Sequence, residues 1–161
     1  MTPLAEMSAT ITNDTAEIAT LADKIEVFLS TAVVPAKFIF EINLSVDELV
    51  SNTIMYGYDD GDEHTISVAV QWVDSQVQVT IEDDGRAFNP FLPTAVPVDV
   101  RAPIEDRAIG GLGIHLVTEM MDQVGYVRVD GRNRITLRRD IPDASDRRDE
   151  ADRPVEAVRR A

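Results

Sequence analysis

The sequence of 161 residues contains no cysteine and only two histidines, His64 and His115. Without cysteine the chain has no disulfide framework, no thiolate metal site and no cysteine nucleophile. The two histidines lie far apart in the sequence and lack the spacing of metal ligands, so we do not expect a zinc site. These absences disfavour disulfide-stapled scaffolds, cysteine enzymes and zinc proteins.

Long apolar runs are also absent from the sequence. No stretch is long enough to cross a bilayer as a helix. The amino terminus lacks a basic region followed by an apolar run and a small-residue cleavage site, so we see no secretory signal. We therefore expect a soluble protein of the cytoplasm that does not bind a membrane.

Basic residues are scarce relative to acidic ones. The chain has 15 lysines and arginines against 29 aspartates and glutamates, a net charge of −14 and a pI near 4.4. Such a surface repels duplex nucleic acid and anionic membranes, so neither is expected as a partner. A nucleotide remains compatible with this charge, because helix termini, backbone amides and a metal create a local positive field.

One long helix organises the rest of the sequence. At helical period, residues 38–58 carry a broad apolar stripe suited to packing on a sheet: Ile39, Ile42, Val46, Leu49, Val50 and Thr53. Glu48 and Asn52 are one turn apart and project together from a different side of this helix. They offer a proton acceptor beside a neutral oxygen ligand for a hard cation, although such pairs are also common on solvated helix surfaces. We expect Gly57 to end the helix in a left-handed conformation.

The other patterns predict two further helices and a set of strands. A first helix is expected to begin near Asp14 or Thr15 and to end at about Ser30, and a last helix follows Gly113. Alternation at period two predicts one hairpin around Asp74-Ser75 and another around Asp130-Gly131. The expected strands are residues 8–12, 65–73, 76–82, 124–129 and 133–139.

These elements predict one domain of α+β class, at residues 8–140. With 44% hydrophobic residues the chain supports one core and leaves little room for a second. We expect a two-layer α/β sandwich with a mixed, mostly antiparallel sheet and three helices on one face. Residues 91–109 form a proline-containing loop that is typical of a lid. Residues 141–161 are charged and nearly without large apolar side chains, so a disordered tail is expected.

Two further motifs lie in the predicted loops. Asp83-Asp84-Gly85-Arg86-Ala87 places a carboxylate at a strand end, where small residues let a flat ligand approach and the carboxylate accepts an exocyclic amine. Gly110-Gly111-Leu112-Gly113 precedes a helix, where free backbone N–H groups and the helix dipole attract an anion. Taken alone, the first motif is also compatible with an ordinary acidic loop, and the second with a helix start whose glycines only permit close packing.

Taken in order, E-x-x-x-N, D-x-G-x-A, a lid, G-G-L-G and Thr136 in the last strand form a specific set. With this set the sequence resembles the GHKL ATPase superfamily and its Bergerat nucleotide fold. It looks most like the bacterial anti-sigma-factor serine/threonine kinases of the RsbW and SpoIIAB type. The resemblance covers roughly residues 11–139.

The resemblance implies an ATP site with Mg²⁺. Asn52 would hold the Mg²⁺ that bridges the ATP phosphates, and Glu48 would be the general base on the hydroxyl of a protein substrate. Asp83 would accept the adenine amino group. The other implied contacts to ATP are Gly85, Ala87, Gly110, Gly111, Leu112, Gly113, Thr136 and, from the lid, Arg107. Ala87 stands where many family members carry glycine, which narrows the space beside the base.

The resemblance also implies partners. We expect phosphorylation of a STAS-type anti-sigma-factor antagonist, sequestration of a sigma factor or similar regulator, and a homodimer through the amino-terminal edge of the sheet. Two other hypotheses remain: a nucleotide-dependent binding module without kinase activity, and the ATPase domain of a histidine kinase. Glu48 favours the kinase, because sequestration alone needs no base. The histidine kinase hypothesis lacks support, because the sequence shows no dimerising helical hairpin that carries a phospho-acceptor histidine.

Overall fold

The computed structural model describes residues 5–92 and 111–143. These residues form three helices and five strands around one core. In chain order the elements are β1 Ala5–Thr12, α1 Glu17–Thr31, α2 Ala36–Tyr56, β2 Thr65–Val73, β3 Gln76–Asp83, α3 Gly111–Met120, β4 Gln123–Val129 and β5 Arg132–Asp140. None of the described helices combines the length and the apolar character that a membrane span requires.

The strands form one sheet in the order β1-β2-β3-β5-β4, and each of these neighbouring pairs is antiparallel. Both predicted hairpins are confirmed. Their turns have positive φ at Asp74 (46°), Ser75 (61°), Asp130 (50°) and Gly131 (74°), the pattern of tight turns that match the twist of the strands. The predicted α+β fold with helices on one face of the sheet is confirmed, and the pairing is antiparallel in every described neighbour pair.

The core lies between one face of the sheet and the helices. Every second residue of the central strands is buried, because successive side chains point to opposite faces. The buried apolar residues of β2, β3 and β5 are Ile66, Val68, Val70, Val77, Val79, Ile81, Ile135 and Leu137. The helices cover them with Leu21, Ile25, Leu29, Ile42, Val46, Leu49, Val50 and Val117. This face is called the inner face below, and the opposite face of the sheet is called the outer face.

An arginine at the end of β5 holds the beginning of α2 in place. Arg139 Nη2 lies 2.9 Å from Glu41 Oε2, and its Nη1 lies 3.1 Å from Asp122 Oδ2. The guanidinium also stands over the ring of Phe38, with 4.9 Å to the ring centroid. These contacts fix the long helix on the sheet and therefore fix the position of Glu48 and Asn52.

Two local expectations are wrong. Gly57 caps α2, but it has φ −78° and ψ −24°, a right-handed conformation rather than a left-handed one. Glycine is required for another reason, since a Cβ there would lie 2.5 Å from the carbonyl oxygen of Thr53. The expected tail at 141–161 begins too early, because Ile141 is buried and its N–H donates to Ser75 O at 2.8 Å. Residues 144–161 lie outside the described residues.

Candidate functional site

Glu48 and Asn52 lie on the same side of α2, and Glu48 lies next to the start of α3. Both are half-buried, and the buried stripe of α2 faces the sheet instead. The carboxylate of Glu48 lies against Gly113, and a Cβ built on Gly113 would overlap both Oε2 and Cδ of Glu48. Glycine at position 113 therefore makes room for this carboxylate. The structure brings the glutamate of E-x-x-x-N and the last glycine of G-G-L-G together.

The surroundings of Glu48 make its carboxylate a stronger proton acceptor than an ordinary glutamate. Burial raises the pKa of its carboxyl above the usual value, and the negative charge of Asp47 raises it further. A raised pKa makes the ionised carboxylate a stronger base. Glu48 thus has the chemical character of a general base.

Asp83 lies at the other end of the site. It is the last residue of β3, points to the inner face and is only 2% exposed. The next residues turn sharply, and Gly85 N–H donates to Asp83 Oδ1 at 2.9 Å. A Cβ on Gly85 would lie 2.9 Å from Asp83 Oδ1 and 2.9 Å from Gly57 O, so glycine is needed for this loop to fold back onto the end of α2. Arg86 N–H donates to Gly57 O at 3.0 Å and closes that contact.

The loop after β3 therefore meets α2 at Gly57, nine residues after Glu48 in the same helix region. At 1.5 Å per residue, roughly 13 Å of helix axis separates the Glu48 level from the Gly57 level, with Asn52 between them. The Glu48 carboxylate, which is suited to act as a base, lies at one end of this stretch of α2. The Asp83 carboxylate, which is suited to accept an amine, lies at the other end. This spacing provides distinct places for a polar head and a flat ring along α2.

Asn133 is a residue of the site that the sequence patterns did not single out. It pairs with Asp83 in the β3–β5 register, is 4% exposed, and donates from Nδ2 to Asp83 Oδ1 at 2.9 Å. The alternation of β5 could have revealed Asn133, because Ile135 and Leu137 are inner-face residues and Asn133 lies two positions before Ile135 on the same face. A polar residue at such a position requires buried partners.

The placement of Thr136 contradicts its expected role at the adenine. Thr136 pairs with Thr80, between the buried residues Ile135 and Leu137, and so lies on the outer face. There it lines a shallow depression with a volume of about 250 Å³, together with Gln123, Val124, Gly125 and Arg138. Because Asp83 points to the inner face, the two side chains are on opposite sides of the sheet. Asn133, three residues earlier, is the β5 residue that contacts Asp83.

Some of the remaining expected ATP contacts lie within the described residues, and the others lie outside them. Ala87 is exposed in the loop after Asp83, close in sequence to Gly85. Gly111 and Leu112 open α3. Arg107 and Gly110, with nearly all of the expected lid, lie outside the described residues. For these residues the ATP contacts stay predictions.

Asn52 fits the requirements of a Mg²⁺ ligand. Mg²⁺ prefers oxygen and usually takes only one or two protein ligands, with phosphates and waters completing its shell. Asn52 lies half-buried one turn from Glu48, so its amide oxygen and a nearby carboxylate supply the right kind of donor. Among the described residues no group of three or more histidines, aspartates or glutamates forms a metal cage. The donor set is thus one that a phosphate-bound Mg²⁺ accepts.

Tyr58 and His64 lie at the edge of the loop that follows α2. Their rings stack with 4.1 Å between centroids and an interplanar angle of 14°. Burial raises the pKa of the Tyr58 hydroxyl, and the negative charges of Asp83 and Asp84 raise it further. Tyr58 therefore stays neutral at physiological pH, and the stacked pair lies near Asp83 and Asp84.

Comparison with known proteins identifies the family. The model of the histidine kinase-like ATPase domain family, HATPase_c_2, matches residues 11–139. The serine-protein kinase RsbW of Halalkalibacterium halodurans is 29% identical over 86 residues, which are 52% of each chain. The serine/threonine-protein kinase BtrW of Bordetella bronchiseptica is 28% identical over 102 residues, 63% of this chain and 70% of that one. The chain thus spans about half the length of the RsbW relative.

Another relative, the anti-sigma F factor of Oceanobacillus iheyensis, is 27% identical over 87 residues, 54% of this chain and 58% of that one. Among solved structures, the RsbU and RsbW domains of Rv1364c from Mycobacterium tuberculosis match with a TM-score of 0.60 and 14% identity, over 86% of this chain and 33% of that one. At this identity the match supports the fold alone. The family match, which covers most of the chain, confirms the resemblance drawn from the motifs: the chain belongs to the histidine kinase-like ATPase domain family.

Proposed function

We propose that the chain is an ATP-dependent serine/threonine protein kinase that acts as an anti-sigma factor in a partner switch. It phosphorylates a STAS-type antagonist protein and otherwise sequesters a sigma factor or a similar regulator. One observation carries the proposal: a half-buried carboxylate with a raised pKa, Glu48, lies one turn from Asn52 and against Gly113, in a domain of an ATPase family. A module that only binds a partner needs no such base.

The nucleotide in this proposal lies along α2. Its base is at Asp83, bordered by Gly85 and Ala87, and its phosphates extend toward Asn52 and the start of α3. Gly110, Gly111, Leu112 and Gly113 present backbone amides to the phosphates, and Arg107 adds a positive charge from the lid. Mg²⁺, when bound at Asn52, neutralises phosphate charge.

The chain itself supplies position and a proton acceptor. Glu48 takes the proton of the substrate serine or threonine hydroxyl while that oxygen bonds to the γ-phosphorus and ADP leaves. A positioned base typically contributes about 10²–10⁴-fold, or about 3–5 kcal/mol of barrier. Most of the remaining acceleration comes from in-line positioning.

The names of the relatives support the same class of reaction. RsbW and BtrW are described as serine or serine/threonine protein kinases, and another relative is described as an anti-sigma F factor. In this proposal the chain is a cytoplasmic homodimer that alternates between an antagonist and a sigma factor. The dimer would form through the edge strand β1, which is unpaired on one side within the described sheet.

The decisive experiment uses Mg-ATP and the STAS-domain proteins of the same host, with phosphosite mapping by mass spectrometry. We expect phosphate on one serine or threonine of an antagonist. The matched control is Glu48→Gln, which keeps the size and removes the base. We expect this variant to lose about 10²–10⁴-fold in transfer rate while its ATP affinity, measured by calorimetry, changes by less than about threefold.

Three results would contradict the proposal. Tight partner binding without phosphate transfer by the parent protein favours the nucleotide-dependent binding module. Equal transfer rates for the parent and Glu48→Gln remove Glu48 as the base. Absence of ATP and ADP binding by folded protein at millimolar nucleotide excludes both the kinase and the binding module.

A further inference from the structure

The two donors that reach Asp83 within the described residues both bind the same oxygen. Gly85 N–H and Asn133 Nδ2 each donate to Oδ1 at 2.9 Å. Oδ1 is therefore fixed from the backbone of its own loop and from β5. Oδ2 accepts no hydrogen bond from the described residues, and its direction follows from how Oδ1 is held.

The orientation of the Asn133 amide is determined by its neighbours. Arg128 Nη1 lies 2.9 Å from Oδ1 of Asn133, and Tyr126 OH lies 2.7 Å from the same atom. An arginine has only donors and an ionised carboxylate has only acceptors, so the amide oxygen must face Arg128 and the amide nitrogen must face Asp83. A flipped amide would lose both of these bonds.

Asn133 has no hydrogen-bonding capacity left for a ligand. The second Nδ2 hydrogen goes to Arg86 O at 2.9 Å, and Oδ1 accepts a third, longer bond from Phe88 N–H at 3.4 Å. Both amide hydrogens are used, and the oxygen accepts three donors. Asn133 therefore acts through Asp83 and through the loop that carries Gly85, not by touching a ligand.

Arg128 extends the same arrangement to the backbone of the loop. Its Nη1 donates to Gly85 O at 2.7 Å as well as to Asn133 Oδ1. One guanidinium on β4 thus holds both the loop after β3 and the amide that fixes Asp83. Charge-assisted bonds of this kind are stronger than neutral ones, so the geometry of the carboxylate is well defined.

We propose that Asn133 is a positioning residue that fixes Asp83 Oδ1 and thereby aims Oδ2 at the 6-amino group of adenine, which gives the site its preference for adenine over guanine nucleotides. This inference rests on the proposed ATP site. Guanine presents an oxygen at position 6, and a fixed acceptor repels it. If Asp83 were free to rotate, it could turn away from that oxygen and the discrimination would fall.

The test uses Asn133→Asp, which keeps the size and the acceptor for Arg128 and Tyr126 but removes the donors to Asp83. At pH 8 we expect ATP affinity to fall about 10- to 100-fold and the ATP-to-GTP affinity ratio to fall with it. As the pH decreases toward 5.5, one proton shared by the two carboxylates restores a donor, and ATP affinity recovers. The parent protein lacks this recovery, because an amide does not titrate. Calorimetry with Mg-ATP and Mg-GTP measures all of these affinities.

Arg128→Met is the second variant, because Arg128 is an exposed residue of an edge strand and its loss leaves the core intact. We expect a smaller fall of about 3- to 10-fold in ATP affinity, again with a lower ATP-to-GTP ratio. Arg134→Gln is the control, since Arg134 neighbours Asn133 but pairs with Glu82 on the outer face. We expect it to bind like the parent.

The outcomes separate this inference from the proposed function. A parent protein that binds neither ATP nor ADP overturns both. A parent that binds ATP, with unchanged affinity, nucleotide ratio and pH profile in Asn133→Asp, overturns the positioning role alone. If Asn133→Asp does not fold, an unchanged nucleotide ratio in Arg128→Met has the same meaning.

Discussion

The carboxylate of Glu48 occupies the space that a side chain on Gly113 would fill. Position 113 is therefore tied to the function of position 48, although 64 residues separate them in the chain. The glycine does not serve flexibility here, because it lies within a helix. Its role is steric, and a single methyl group tests it.

We expect Gly113→Ala to displace the Glu48 carboxylate and to reduce phosphate transfer about 100-fold, because misplacement of a reacting group by about 1 Å has an effect of this size. ADP affinity should change much less than the transfer rate. Gly125→Ala is the matched control, since a Cβ there meets no atom within 4 Å. Full activity of Gly113→Ala in a transfer assay would show that Glu48 acts from another position.

The pH dependence of the reaction provides a second test. Because burial and the charge of Asp47 raise the pKa of Glu48, transfer should fall on acidification at a higher pH than for an ordinary glutamate. Below that pKa the carboxyl is protonated and cannot accept a proton. Asp47→Asn removes one of the two causes, so its acid limb should shift to lower pH.

The measurement is the transfer rate at saturating Mg-ATP from pH 4.5 to pH 8. Ser51→Ala is the control, because Ser51 Oγ donates to Asp47 Oδ1 at 3.1 Å and its loss leaves the charge of Asp47 in place. Superimposable acid limbs in the parent and in Asp47→Asn would mean that another group controls the rate at low pH.

The alternation of the strands provides a third test, on Thr136. Its side chain lies on the outer face, so Thr136→Val should leave ATP affinity within about twofold of the parent value. Calorimetry with Mg-ATP measures this directly. A tenfold loss would place the nucleotide on the outer face and contradict the site around Asp83.

Thr136 also shows where the sequence could and could not define the site. The order of the motifs identified the family. The spacing of Glu48 and Asn52 placed both on one side of α2, because helical period fixes which residues share a side. The assignment on β5 failed because it followed motif order and ignored strand parity. The buried residues Ile135 and Leu137 alternate with Arg134, Thr136 and Arg138. The sequence alone therefore already excluded Thr136 from the inner face.

Other features required the three-dimensional structure. The contact between Glu48 and Gly113 depends on how α3 packs against α2, which neither helix encodes alone. The bond between Asp83 and Asn133 depends on the register of β3 with β5, and 48 residues of chain lie between these two strands. The right-handed Gly57 follows from the loop after β3 packing onto the end of α2, a tertiary contact that local helix-ending rules do not contain.

His64 provides the last prediction, on stability. Its Nε2 lies 2.8 Å from Asp60 Oδ2 and its Nδ1 lies 3.3 Å from Asp84 Oδ1. Both ring nitrogens face carboxylates, so the protonated ring donates to both. The hydrogen bond with Asp60 raises the pKa of His64, burial opposes this, and Asp84 raises it further. The charged ring thereby holds the loop after α2 against the residue that follows Asp83.

The direction of the pH effect follows from this raised pKa. The stabilisation by His64 is complete below its unfolded pKa of about 6.5 and is lost as the pH rises through the higher pKa of the folded protein. His64→Gln keeps a hydrogen-bonding side chain but does not titrate. We therefore expect the melting temperature of the parent to exceed that of His64→Gln most clearly near pH 6, with the difference shrinking toward pH 9.

Thermal unfolding of both proteins at half-unit pH steps from 6 to 9, in low salt, measures this difference. Asp60→Asn is the companion variant, because it removes the larger cause of the raised pKa and keeps the side-chain volume. In Asp60→Asn the loss of stability should begin at lower pH than in the parent. A difference between the parent and His64→Gln that stays constant across the range would mean that the ring contributes through its stacking on Tyr58 and not through its charge.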